Sequence, residues 1–215
     1  MFRIFGPPGT GKTTKLLDMV DKALGKGMAP QKIAFLAFTR KAAHEARDRA
    51  AERFSLDPKT DLTFFRTLHS LAYWLLAVRD SQMMGKNNYQ ELANSIGYVL
   101  DGSSSIGEEE EWRQSTTEHP ILSIINLARL KCQSLRKTYD ESEIEFSWVE
   151  VSYVHQGYTE YKQREDLLDF TDLLELFLVE IPNLCPRFEL CFLDEAQDLS
   201  PLQWKIAHAI DVRSK

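Results

Sequence analysis

Two groups of residues in this 215-residue chain have the types and spacing that do chemistry. The first is Gly6-Pro7-Pro8-Gly9-Thr10-Gly11-Lys12-Thr13, with Thr14 following. It matches G-x-x-x-x-G-K-[ST] in full, a spacing in which glycines let backbone N–H groups turn inward around a polyphosphate. Lys12 would reach the β- and γ-phosphates of a nucleoside triphosphate, and Thr13 would set its hydroxyl on Mg²⁺. The second group is Asp194-Glu195, which follows the apolar run Leu190-Cys191-Phe192-Leu193. A buried parallel strand delivers its last residues to the crevice where open α/β sheets bind ligands. Asp194 would then hold Mg²⁺, and Glu195 would polarise an attacking water as general base. An acidic pair at a strand end also reads as a solvated turn; the phosphate loop elsewhere in the chain favours the catalytic reading.

These groups need elements to hold them. Phe2–Phe5 reads as a buried strand running into the loop, and 12–24 as a helix with Leu16, Leu17 and Val20 on one face. Ile33–Phe38 reads as a second strand, and Thr39 can cap a helix over 41–54. Leu62–Arg66 reads as a third strand, followed by a helix carrying Leu68, Leu71, Ala72 and Trp74. Strands alternating with helices predict an α/β fold, a parallel sheet flanked by helices. From about 80 to 165 no convincing strand is visible. Helices are expected over 88–100, 121–136 and 143–163, with a Ser- and Gly-rich loop at Asp101–Gly107 and a solvated acidic run at Glu108–Glu111. The α/β pattern then returns: Asp169, with Asp172 at the third position, can cap a helix over 170–180. Leu190–Leu193 is a strand, and Pro201 opens a last helix to about Ile210. The expected organisation is 1–79 and 166–215 as two parts of one α/β domain, with 80–165 as an all-helical insertion.

Composition bounds the rest. Hydrophobic residues are 43% and charged residues 27% of the chain, an ordinary globular balance. No run of about 18 apolar residues is present, so no membrane span is expected. Three cysteines without metal-like spacing, and no export signal, suggest reduced thiols and a cytoplasmic setting. A net charge of −6 weighs mildly against tight nucleic-acid binding, although a local basic groove can exist on an acidic protein.

The loop string by itself looks much like that of the AAA+ ATPases, whose acid pair follows within a few tens of residues. Here Lys12 lies 182 residues before Asp194. Four other segments resemble superfamily 1 helicases of the UvrD/Rep/PcrA type. Asp194-Glu195-Ala196-Gln197-Asp198 resembles their motif II, Ala37-Phe38-Thr39-Arg40-Lys41-Ala42-Ala43 their motif Ia, and Thr67-Leu68-His69-Ser70-Leu71-Ala72 their motif Ib. Leu168-Asp169-Phe170-Thr171-Asp172-Leu173-Leu174 is similar to a segment they carry shortly before motif II. The resemblance implies a RecA-like P-loop domain interrupted by a helical subdomain, with ATP and Mg²⁺ as ligands and single-stranded DNA as partner.

It also implies roles. Gly6, Pro7, Pro8, Gly9, Thr10, Gly11, Lys12, Thr13 and Thr14 would bind the nucleotide, and Thr13 and Asp194 the metal. Lys12, Glu195 and Gln197 would act in hydrolysis, Gln197 by sensing the γ-phosphate. Phe38, Thr39, Arg40, Thr67, His69 and Ser70 would line the DNA path. Alternatives stay open at this point: Phe38 as core at a strand end, Thr39 as a helix cap only, His69 as a structural histidine. Such helicases carry a glutamine-bearing segment before the phosphate loop, and here the loop starts after five residues, which leaves the preference for ATP open. Motif III and the second RecA-like domain would lie beyond Lys215, in a missing C-terminal region or a second chain. The expected activity is that of an ATP-driven DNA helicase or translocase whose first half is weak or inactive alone. The alternative is a nucleotide-dependent DNA- or protein-binding module with little turnover.

Overall fold

The computed structural model describes residues 11–100 and 119–213. The expected strand Phe2–Phe5, the loop residues Gly6, Pro7, Pro8, Gly9 and Thr10, and the segments Asp101–Gly107 and Glu108–Glu111 lie outside them. The described chain divides into two compact units. Among the described residues, one comprises 11–76, 177–199 and 203–213, and the other 77–100, 119–176 and 200–202.

The first unit is built on three parallel strands, β1 (Ile33–Ala37), β2 (Phe65–Thr67) and β3 (Leu190–Leu193), in the order β2-β1-β3. All five residues of β1 are buried, as expected for a central parallel strand covered on both faces. Phe35 pairs in register with Phe65 on one side and Phe192 on the other. The rings follow that register, with centroids 5.7 and 6.4 Å from that of Phe35. Helix α1 (Lys12–Gly25) contributes Leu17, Val20 and Ala23 to the core, and α2 (Arg40–Phe54) contributes Ala43, Ala46 and Ala50, small residues three and four apart on one face. Thr39 starts α2 as foreseen, its hydroxyl accepting the Ala42 N–H at 3.2 Å.

Strand β2 is shorter and later than the expected Leu62–Arg66. Leu62 is buried, yet it belongs to a turn whose carbonyl accepts the Phe65 N–H at 3.1 Å. Its apolar character reports burial under the sheet and not strand pairing. Helix α3 (Leu68–Leu75) follows β2 at once, capped by Thr67, whose hydroxyl accepts the Ser70 N–H.

The second unit is helical: α4 (Lys86–Ile96), α5 (Pro120–Leu130), α6 (Leu135–Asp140) and α7 (Trp148–Glu165). The single helix expected over 121–136 is two. Cys132 takes a left-handed conformation at φ 54°, and Gln133 N–H reaches back to the Ala128 carbonyl at 2.9 Å. These bonds close α5 in the manner of a Schellman turn. Ser134 then caps α6. Helix α7 starts at Trp148 and not at 143, because Ser147 and Glu150 form a reciprocal capping box.

Helix α8 (Phe170–Leu184) opens with the same device. Asp172 N–H donates to Asp169 Oδ1 at 2.7 Å, and Asp169 N–H to Asp172 Oδ2 at 2.8 Å. These carboxylates are also clamped. Arg129 of α5 donates to Asp169, Asp172 and Glu175, and Lys162 of α7 donates to Asp169 and Asp172. The buried Tyr158 hydroxyl donates to Asp169 at 2.7 Å. The last helix, α9, spans Pro201–Arg213.

Candidate nucleotide and nucleic-acid site

The parallel register places the three strand ends side by side. Ala37 stands opposite Thr67, and Leu36 opposite Leu193. Residues that follow the strands therefore share one edge of the sheet. Phe38, Thr39 and Arg40 follow β1; Thr67, His69 and Ser70 close β2 and open α3; Asp194, Glu195 and Gln197 follow β3. The pairing of β3 runs one step past its end, since Asp194 N–H donates to the Leu36 carbonyl at 2.9 Å. That bond fixes where the Asp194 side chain begins.

Helix α1 comes to the same edge. Gly11, at φ 74° and ψ 26°, ends the loop in a left-handed conformation that glycine adopts without strain, and Lys12 is the first helical residue. Thr13 Oγ1 donates to Asp194 Oδ2 at 2.9 Å, across 181 positions of sequence. The other carboxylate oxygen, Oδ1, accepts the Glu195 N–H at 3.1 Å. Asp194 is only 3% exposed. Among the described residues no Lys or Arg lies within ion-pair reach of it. A buried carboxylate without a counter-ion is costly, and a hydroxyl beside it completes a pair of hard oxygen donors. The donor set fits Mg²⁺, and the N–H groups of the first turn of α1, which a helix does not pair internally, fit a phosphate. Lys12 is partly buried and Thr14 exposed.

Glu195 leaves the strand in the left-handed region, φ 50° and ψ 40°, ahead of a short 3-10 turn over Ala196–Asp198. This conformation is unfavourable for a residue with a Cβ and clusters at functional sites. No motif in the sequence announces it. The Glu195 carboxylate accepts from the Gln197 side-chain amide, which also donates to Asp198 at 3.3 Å. Gln197 is exposed.

The residues of the other two strand ends differ in what they present. Phe38 is 41% exposed, so it is not core. The Thr39 hydroxyl is held by its helix cap and that of Thr67 likewise, the latter residue being only 3% exposed. Arg40 and Ser70 are half-buried. Burial pushes the His69 imidazole down to about 4, so it is neutral at physiological pH.

An open parallel sheet, with helices after each strand and polar residues gathered at the strand ends, is the RecA-like α/β class. The chain belongs to the UvrD/Rep helicase family: the profile of the UvrD/REP helicase N-terminal domain matches residues 2–214. The ATP-dependent DNA helicase PcrA of Leuconostoc citreum is 28% identical over 224 residues, an alignment covering 99% of this chain and 29% of that protein. The ATP-dependent DNA helicase Rep of Buchnera aphidicola subsp. Acyrthosiphon pisum (strain APS) is 24% identical over 217 residues, covering 94% of this chain and 32% of Rep. The chain thus spans about a third or less of the length of these relatives. Among the described residues no helix is long and apolar enough to cross a membrane.

Proposed function

We propose that this chain is the ATP-binding motor domain of a UvrD-type DNA helicase or translocase, and that ATP hydrolysis at its sheet edge drives movement on single-stranded DNA. The observation that carries the reading is the Thr13–Asp194 hydrogen bond, which joins the helix after the phosphate loop to the strand bearing the acidic pair. Lys12 and Gly6–Thr14 bind the triphosphate, and Thr13 and Asp194 hold Mg²⁺. The metal neutralises charge on the transferring phosphoryl group when bound. Glu195 accepts the proton of the attacking water. Gln197, already hydrogen-bonded to Glu195, reports the γ-phosphate to the neighbouring strand ends. Phe38, Arg40, His69 and Ser70 contact the DNA, while Thr39 and Thr67 hold the helix starts that present them.

These 215 residues alone should bind nucleotide better than they turn it over. In related phosphate-loop enzymes an arginine supplied by a second element is worth about 10³–10⁵ in rate, and on this reading that arginine belongs to a second RecA-like domain. The test is ATP turnover by the longest native form with and without oligo-dT. DNA-stimulated turnover that Glu195→Gln abolishes supports the reading. Turnover indifferent to DNA defeats it and leaves a nucleotide-dependent binding module.

A further inference from the structure

One half-buried cation beside the proposed DNA edge has no role so far. Arg66 is the middle residue of β2, between the buried Phe65 and Thr67, so its side chain leaves the strand on the opposite face. Its guanidinium lies 5.0 Å from the ring centroid of Trp74, near the end of α3. It also donates to the Thr63 carbonyl and, at 3.5 Å, to Ser70 Oγ. Ser70 and Trp74 are four apart on α3 and share one face, and Arg66 spans both. The Trp74 ring is 45% exposed, and its orientation is further fixed by Phe64, whose ring meets it edge-on with centroids 5.8 Å apart. Phe64 is anchored in turn on Phe188, at 4.9 Å.

Among the described residues Arg66 has no carboxylate partner. Its proton affinity is lowered by burial and then by the nearby Arg47. Arg47 is already paired with Asp48 at 3.2 Å, which leaves Arg66 as the cation at the ring. A guanidinium against an aromatic ring held in place and open to solvent suits a ligand with both a π-face and negative charge. A nucleotide of single-stranded nucleic acid has both. A protein partner would have to leave Arg66 unpaired or bring an acid to it, whereas Arg66 already touches Ser70, the last residue of the proposed DNA path.

We propose that Trp74 and Arg66 form a stacking station for one nucleotide of single-stranded DNA, extending the strand path one helical turn beyond Ser70. The inference rests on the reading that DNA crosses this edge. Its test is the affinity of the whole 215-residue chain for fluorescein-labelled oligo-dT, by anisotropy across a salt series. Trp74→Leu should weaken binding by roughly 5- to 150-fold, the range of one base–aromatic stack, and Trp74→Phe should stay close to wild type. Arg66→Gln should reduce the slope of log affinity against log salt by about one. Wild-type binding together with unchanged affinity in Trp74→Leu overturns the station and leaves the DNA reading intact. Absence of wild-type binding to oligo-dT at any salt defeats both. A cooperative thermal transition in Trp74→Phe and Trp74→Leu separates a lost contact from a lost fold.

Discussion

Glu195 combines an unfavourable backbone with a defined partner. The left-handed conformation costs on the order of 1–2 kcal/mol for a residue with a side chain, and it sends the carboxylate toward Gln197. Glu195→Gln preserves shape while removing the proton acceptor. Its single-turnover hydrolysis rate should fall about 10²–10³-fold, by analogy with loss of one preorganised catalytic group. Affinity for Mg²⁺–ATP should hold. A variant that instead loses nucleotide binding would make Glu195 a binding group and not a base. His69 gives a prediction of a different kind. Its imidazole is held near 4 by burial, against 6.5 in the unfolded chain. Between those values the unfolded chain binds the extra proton, so stability rises with pH across that window and is lost as pH falls from 6.5 toward 4. At pH 6–8 the imidazole carries no charge, and DNA affinity should show no titration from it. A His69 NMR resonance titrating near 6.5 in the free protein would contradict the burial.

At the scale of elements, an ion network ties α5 and α7 to the start of α8. Arg129 reaches three carboxylates of the α8 start, and burial leaves few alternatives to that pairing. Removing one partner of a buried ion network typically costs about 3–5 kcal/mol. Arg129→Ala should therefore lower the urea midpoint without changing the slope; a loss under about 1 kcal/mol would mean water replaces the clamp. Burial alone would raise the Asp169 carboxyl, but Arg129 and Lys162 more than reverse this and hold it below its usual 3.8. Its contribution is present above 3.8 and lost as pH falls through the lower folded value. Asp169→Asn should flatten that acid arm. Gly157 gives a steric test where α4 meets α7. A Cβ there would lie 2.5 Å from Ile96 Cγ2, a branched and stiff neighbour. Gly157→Ala should cost about 1–3 kcal/mol through overpacking, and Ile96→Ala in the same chain should recover part of it. Capping motifs such as Thr39 and Asp169–Asp172 were readable in the sequence because cap and helix are adjacent. The break at Cys132 was not, because apolar periodicity runs through it and the left-handed turn uses neither glycine nor asparagine. The partners of Asp169 were unreadable for another reason: Arg129 and Lys162 lie on other helices, and spacing along the chain carries no trace of that meeting.

For the whole molecule, the decisive fact is that residues near the two ends of the sequence meet on one sheet edge. The α/β class was legible from apolar strands alternating with helices, and the family from four ordered motifs. The meeting of Thr13 and Asp194 was only inferable, since nothing local records which strands are neighbours; β3 lies beside β1 through ladder hydrogen bonds and the Phe35–Phe192 contact, both long-range. Mg²⁺–ATP, bound where proposed, should stabilise the first unit by about 2.7 kcal/mol at 100 times its Kd. Hydrogen exchange locates that gain. The N–H groups of the first turn of α1, of β3 and of 194–198 should gain protection with Mg²⁺–ATP. Those of α4–α7 should gain none, because neither Thr13 nor Asp194 belongs to their unit. Thr13→Val should abolish most of the magnesium-dependent part and leave the fold, since among the described residues the hydroxyl's partner is the Asp194 carboxylate. Equal protection in both units would show that nucleotide tightens the chain beyond its own unit. Protection confined to other strands would remove the Thr13–Asp194 pair from the nucleotide site.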